Sequence, residues 1–154
     1  MKAVVDTNVA IAANGRNTHA SPHCQLKCIE FLQEIINPRK GNTLVLDLPG
    51  YILDEYRIHL NYRGQPGVGD LFFKFLHDNL YSTERVIQVA ISPIADETRG
   101  FEELPPNKLD PGDRKFLATS IVGAANLFNA LDTDWSEQVE LTKELGVEVV
   151  ELCP

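Results

Sequence analysis

The chain has 154 residues, 44% of them hydrophobic, which suits one domain with a buried core and leaves no need for a second. Its formal net charge of −8 argues against a protein that coats long stretches of nucleic acid through a basic face. It leaves room for a compact cleaving site, where bound cations reverse the field that a phosphate meets, or for a basic protein partner. No apolar run approaches the roughly 18 residues of a membrane span, and the start lacks a signal-peptide layout, so a cytoplasmic protein away from membranes is expected.

Lys2 to Asp6 reads as a fully buried strand and Asn8 to Ala13 as a short helix that ends near Asn14-Gly15. Ser21-Pro22 opens a second helix, with Ser as cap and Pro at the first position; apolar residues recur at Cys24, Cys28, Ile29, Leu32, Ile35 and Ile36. Asn37-Pro38 and Gly41-Asn42 stop it. Thr43 to Asp47 reads as a buried strand, Gly50 to Leu60 as a helix, and Asn61 to Gly69, with its glycines and proline, as a loop. The dense stripe of Leu71, Phe72, Phe75 and Leu76 predicts a helix over Asp70 to Leu80, followed by a strand from Val86 to Ile91.

Ser92 to Leu109 is polar and proline-containing, with no clear period, and reads as a long active-site loop or a partly mobile one. Asp110 to Ala125 then predicts a helix, Leu127 to Leu131 a strand, Ser136 to Leu145 a helix, and Val147 to Leu152 a last strand after the stop at Gly146. Strands alternating with helices predict a three-layer α/β sandwich around a mostly parallel sheet, and apolar runs such as Thr43-Leu44-Val45-Leu46 agree, because buried parallel strands lose alternation. There is no internal repeat or linker, so residues 1–154 are expected to form one domain.

The three cysteines, Cys24, Cys28 and Cys153, are an odd and sparse set that argues against a disulfide framework and fits a reducing compartment. Cys24 and Cys28 share a helix face, and His19 and His23 lie nearby. The spacings differ from the usual paired-ligand patterns of zinc sites, so buried, apolar cysteines are expected in preference to zinc ligands.

Four carboxylates stand out by position: Asp6 and Asp132 close apolar strands, Glu55 lies inside the helix after the second strand, and Asp113 lies in the first turn of the helix before the fourth. In a parallel sheet, strand ends and helix starts converge on one edge, so these acids can share one pocket. Two carboxylates about 4 Å apart repel by about 1 kcal/mol in bulk water and about 4 kcal/mol at an effective dielectric near 20. Four ionised acids in a cleft therefore call for a cation or raised pKa values.

Each acid has a plainer role. Asp6 can cap the helix that begins after it, Glu55 can be one more exposed helix acid, and Asp54 beside it competes. Asp110-Pro111-Gly112-Asp113 reads as a helix N-terminus in which Asp110 is the cap, so Asp113 is preferred over Asp110 as a ligand.

Taken together, Val4-Val5-Asp6-Thr7-Asn8-Val9, Ile52-Leu53-Asp54-Glu55-Tyr56, Asp113-Arg114-Lys115-Phe116-Leu117-Ala118 and Asp132-Thr133-Asp134-Trp135 resemble the ordered motifs of PIN-domain nucleases, over nearly the whole chain. The resemblance implies a PIN-like sheet of about five parallel strands and a Mg²⁺- or Mn²⁺-dependent endoribonuclease that leaves a 5′-phosphate. The opening motif and Glu55-Tyr56-Arg57 are similar to the branch of toxins from bacterial toxin–antitoxin pairs, which implies an antitoxin partner and often a homodimer. In this reading Asp6, Asp113 and Asp132 are metal ligands, Asp134 is a further one, and Glu55 holds metal-bound water and acts as the base.

Hard cations prefer such oxygen ligands, and phosphate hydrolysis needs an activated water. Thr7 and Asn8 are expected to fix the carboxylates or a phosphate oxygen. Arg16 and Arg114 are candidate phosphate contacts, with Arg39, Lys40, Arg57, Arg63 and Lys115, although most such residues belong to the solvated surface. Trp135 is expected to cover the following helix in preference to stacking on a base.

The chain departs from the family pattern at Ala130, where many members have Thr or Ser two residues before the last acid. The alternative is therefore a weak or inactive PIN-fold module that binds a protein partner. An aspartyl phosphatase would need a second Asp where Asn8 stands.

Overall fold

A computed structural model describes residues 1–154. Five parallel strands, β1 (Lys2–Val5), β2 (Thr43–Asp47), β3 (Val86–Val89), β4 (Asn126–Asn129) and β5 (Val149–Glu151), form one sheet in the order β3-β2-β1-β4-β5. Seven helices accompany it: α1 (Thr7–Asn14), α2 (Pro22–Ile35), α3 (Tyr51–His59), α4 (Val68–Asp78), α5 (Arg114–Gly123), α6 (Asp134–Glu137) and α7 (Val139–Glu144). Helices α1, α2 and α4 pack on one another, while α5 runs across β1, β2, β3 and β4. The expected three-layer α/β architecture is the observed one.

Strand order decides where a site can form. From β1 the chain winds outward through β2 to β3, then returns through α5 to place β4 on the other side of β1. The reversal falls between β1 and β4, and in open parallel sheets the crevice beyond the strand ends at such a reversal is where ligands bind. Asp6 follows β1 and Asp132 follows β4 by three residues, so both flank it.

The core is continuous. Val4, Val5, Leu44, Val45, Leu46 and Leu127 are buried from the strands, and Leu32, Phe72, Phe73, Leu76, Phe116 and Leu117 from the helices. Phe31 stacks on Phe128 with ring centroids 4.4 Å apart, and Tyr56 meets Phe72 and Phe73 edge-on. The Tyr56 hydroxyl donates to the Val5 carbonyl, which ties α3 beneath the end of β1.

Several boundaries differ from the sequence reading. β2 has the expected bounds, whereas β1, β3 and β4 stop one or two residues early and β5 is shorter at both ends. Helix α4 begins at Val68 rather than Asp70, because Asp70 completes its first turn by accepting from the Gly67 N–H at 2.9 Å. Buried Asp70 also accepts from Asn61 N and Asn14 Nδ2 and pairs with Arg16 at 3.0 Å, so it organises the 61–67 loop. Gly69 allows α4 to approach α1: a Cβ there would lie 2.1 Å from the Ala10 carbonyl oxygen.

The expected helix from Asp110 opens with a 3₁₀ turn over Pro111–Asp113 before α5, and the expected last helix is broken at Gln138 into α6 and α7.

The 92–109 segment is an ordered cover. Pro93 and Phe101 form an antiparallel bridge, Phe101, Leu104 and Leu109 are buried, and Arg99 donates to the Leu104 and Glu102 carbonyls.

The cysteines require a correction. Cys24 and Cys28 are buried as expected, but Cys24 and Cys153 form a disulfide that ties the residues after β5 to α2. The pairing spans 129 residues of sequence, a separation at which spacing conveys nothing about connectivity. Cys28 is the free thiol. No helix is long and apolar enough to cross a membrane.

Candidate functional site

Asp6 caps α1 and also faces the crevice. One oxygen accepts from the Asn8 N–H at 3.2 Å, and the other accepts from the Trp135 indole N–H at 2.8 Å. Both groups hold its carboxylate in one orientation. Only 4% of Asp6 is exposed; burial raises its pKa to about 6, against the lowering effect of the Trp135 and Asn8 bonds, with the charges of Asp132 and Glu55 adding to the rise.

The second acid is set by an asparagine relay. Buried Asn129, at the end of β4, donates to the Asp132 carbonyl at 2.8 Å and to Glu151 at 2.7 Å, while its own oxygen accepts from Asp132 N at 3.2 Å and from Asn8 Nδ2 at 2.8 Å. The Asn8 oxygen accepts from the N–H groups of Ala130 and Leu131 at 2.9 and 3.0 Å. Asn8 thus fastens the turn after β4 to the start of α1, fixing Asp132 relative to Asp6. Asp132 accepts from Asp134 N at 2.9 Å, which shapes the turn into α6.

Asp113 arrives on the 3₁₀ turn before α5. Ligand oxygens of Asp6, Asp113 and Asp132 all lie within 4.8 Å of one another. Burial, hydrogen bonding to Asp132, the Asp6 charge and hydrogen bonding to Asp134 push the Asp113 carboxyl far above the usual range. Asp134, beside Asp113 but outside the three-acid cluster, also accepts from Asp110 N at 2.9 Å, and Asp110 caps its own turn by accepting from Gly112 N at 3.1 Å. The cap role expected for Asp110 is the one observed.

Glu55 stands at the rim outside the three-acid cluster. Thr7 donates its hydroxyl to one Glu55 oxygen, and the Lys115 ammonium pairs with the other at 2.8 Å while also donating to the Gly112 carbonyl. The acids line two adjoining hollows. A groove of about 380 Å³ is walled by Asp6, Thr7, Asn8, Glu55 and Asp132 with His19 and His59, and a hollow of about 480 Å³ by Glu55, Asp113, Asp132, Asp134 and Asp110.

Arg114, one of the expected phosphate contacts, lies elsewhere. Arg114 is buried and donates to Asn107 at 3.0 Å and to the Glu97 carbonyl at 2.8 Å, facing the 92–109 cover. Successive helical residues diverge by about 100°, and here Arg114 turns away from Asp113 toward the cover. Arg16 is engaged by Asp70, and Arg57 by Asp54 at 2.6 Å.

Sequence reasoning missed Asn129, and it gave Trp135 only a packing role. A polar residue ending an otherwise apolar strand was the available signal for Asn129. Nothing local announces that the indole of Trp135 reaches back 129 residues to Asp6.

No protein-family model matches the chain, and a comparison with curated proteins returns no match.

Proposed function

We propose that the chain is a Mg²⁺- or Mn²⁺-dependent endoribonuclease of the PIN type. The observation that carries this reading is the convergence of Asp6, Asp113 and Asp132, from three separate elements, within 4.8 Å at the sheet reversal. The donor set fits: carboxylate oxygens suit hard divalent cations. None of the four ion pairs in the molecule involves these three acids, so no cationic side chain lies within ion-pair distance of the cluster. When bound, the cation supplies Lewis acidity toward a phosphate oxygen and acidifies water.

The protein's own residues would do the rest. Trp135 and the Asn8 N–H hold Asp6, and the Asn8–Asn129 relay holds Asp132. Glu55, steadied by Thr7, takes the proton of the attacking water. The water oxygen bonds to phosphorus, the bond from phosphorus to the 3′-oxygen breaks, and the 3′-oxygen takes up a proton from solvent, leaving a 3′-hydroxyl and a 5′-phosphate. Lys115 at the rim pairs with Glu55 at 2.8 Å and would also meet a phosphate oxygen. The motif resemblance extends the proposal to the toxin of a toxin–antitoxin pair, whose antitoxin would offer a basic segment to the acidic groove.

One observation favours the alternative of a weak or inactive PIN-fold module that binds a protein: both Glu55 oxygens are already engaged, by Thr7 and Lys115. Incubating single-stranded RNA with Mn²⁺ separates the two. The nuclease reading expects cleavage that EDTA and Asp6→Asn each abolish. Cleavage surviving both controls, or no cleavage at any Mn²⁺ concentration, counts against it.

A further inference from the structure

Away from the acidic pocket the molecule gathers a second set of ligating atoms, all sulfur. Cys24 and Cys28 lie one turn apart on α2, and Cys153 reaches them from beyond β5. Their sulfurs all lie within 4.8 Å of one another. A cross-link uses two of them. The third, Cys28, is fully buried and unoxidised, with its sulfur 3.9 Å from that of Cys153.

That distance has a chemical counterpart. With Zn–S bonds of about 2.3 Å, tetrahedral coordination places neighbouring sulfurs about 3.8 Å apart. Cys24 and Cys153 also line a cavity of about 670 Å³ whose wall includes His23, Lys27 and Glu151. Three thiolates and a divalent cation leave one negative charge, which Lys27 is placed to offset. His23 lines the same cavity. Oxygen clusters select hard cations and thiolate clusters soft ones, so the two sites are chemically distinct.

We propose that Cys24, Cys28 and Cys153, once a dithiol has reduced the disulfide, bind one soft divalent cation of the Zn²⁺ type, with the fourth coordination position open to the cavity beside His23. Reduction passes two electrons and two protons from the dithiol to the sulfurs, leaving Cys24 and Cys153 as thiols and the reductant as its own disulfide. Cation uptake then releases three protons, one from each thiol. The C-terminal tether to α2 is thereby kept in both redox states, by a covalent bond in one and by the cation in the other.

The test uses the full chain, reduced with dithiothreitol, freed of it under nitrogen and titrated with Co²⁺. One equivalent should produce the near-ultraviolet thiolate-to-cobalt charge-transfer band and the intense visible bands of tetrahedral coordination, both removed by Zn²⁺. Asp6→Asn should titrate identically, which separates this site from the acidic one. Cys28→Ser, whose fold can be verified by circular dichroism with the disulfide intact, should weaken binding at least tenfold. If serine at this buried position prevents folding, Cys153→Ser removes a ligand from the chain end instead and should have the same effect. No charge-transfer band in the reduced protein, a band of equal strength in the oxidised protein, or unchanged affinity in the folded cysteine variant would each overturn the proposal.

Discussion

Replacing Asp6 by Asn should change stability in a direction that depends on pH. The Asp6 pKa rises from 3.8 to about 6 on folding, chiefly through burial, so ionised Asp6 costs the cation-free protein about 3 kcal/mol. Between those values the folded state binds more protons than the unfolded one, so stability falls as pH rises and the loss is complete above about pH 6. About 2 kcal/mol of it develops between about pH 4.5 and pH 8.

Asn lacks this titration but has one oxygen for two donors, Asn8 N–H and the Trp135 indole, so one donor loses its partner at about 1–3 kcal/mol. Urea denaturation followed by circular dichroism in EDTA should therefore show the variant gaining about 2 kcal/mol on wild type from the lower to the higher pH. A stability difference that is the same at both pH values would refute the reasoning.

Trp135→Phe keeps a ring but removes the donor to Asp6, and should cost about 3 kcal/mol by denaturation, from the bond to a charged group and the smaller ring. Trp135 is the only tryptophan, so Mn²⁺ should change the emission of the wild type and leave that of Asp6→Asn unchanged; an unresponsive wild type would separate the cation from Asp6. Lys115→Met removes the ammonium 2.8 Å from Glu55 and should tighten Mn²⁺ binding about fivefold, the equivalent of about 1 kcal/mol for a partly exposed pair. Calorimetry showing no change would mean that the Lys115 charge is not felt at the cation site.

The architecture was legible because its signals are local and repeated. Continuous apolar runs such as Leu44 to Leu46 mark strands covered on both faces, and the stops at Gly15, Gly41 and Gly146 adopt left-handed backbone that glycine favours. The acids were legible for a related reason, since each ends a strand or opens a helix, and parallel topology then fixes which edge they share. Contacts between distant segments were not. The disulfide, the Asn129 relay and the indole bond to Asp6 each depend on how layers stack, which no spacing encodes. Arg114 departs from its expected role because the start of α5 turns its side chain toward Asn107 and the Glu97 carbonyl, partners that no local signal announces.

That orientation joins the 92–109 cover to the start of α5. Arg114 grips the cover through Asn107 and the Glu97 carbonyl, and its backbone neighbour Asp113 carries a carboxylate of the acidic cluster. A change at Asn107 would therefore remove a partner from the residue that follows Asp113 in sequence. No hydrogen bond joins the loop to an acid of the pocket, and Arg114 is the residue that lies between the two.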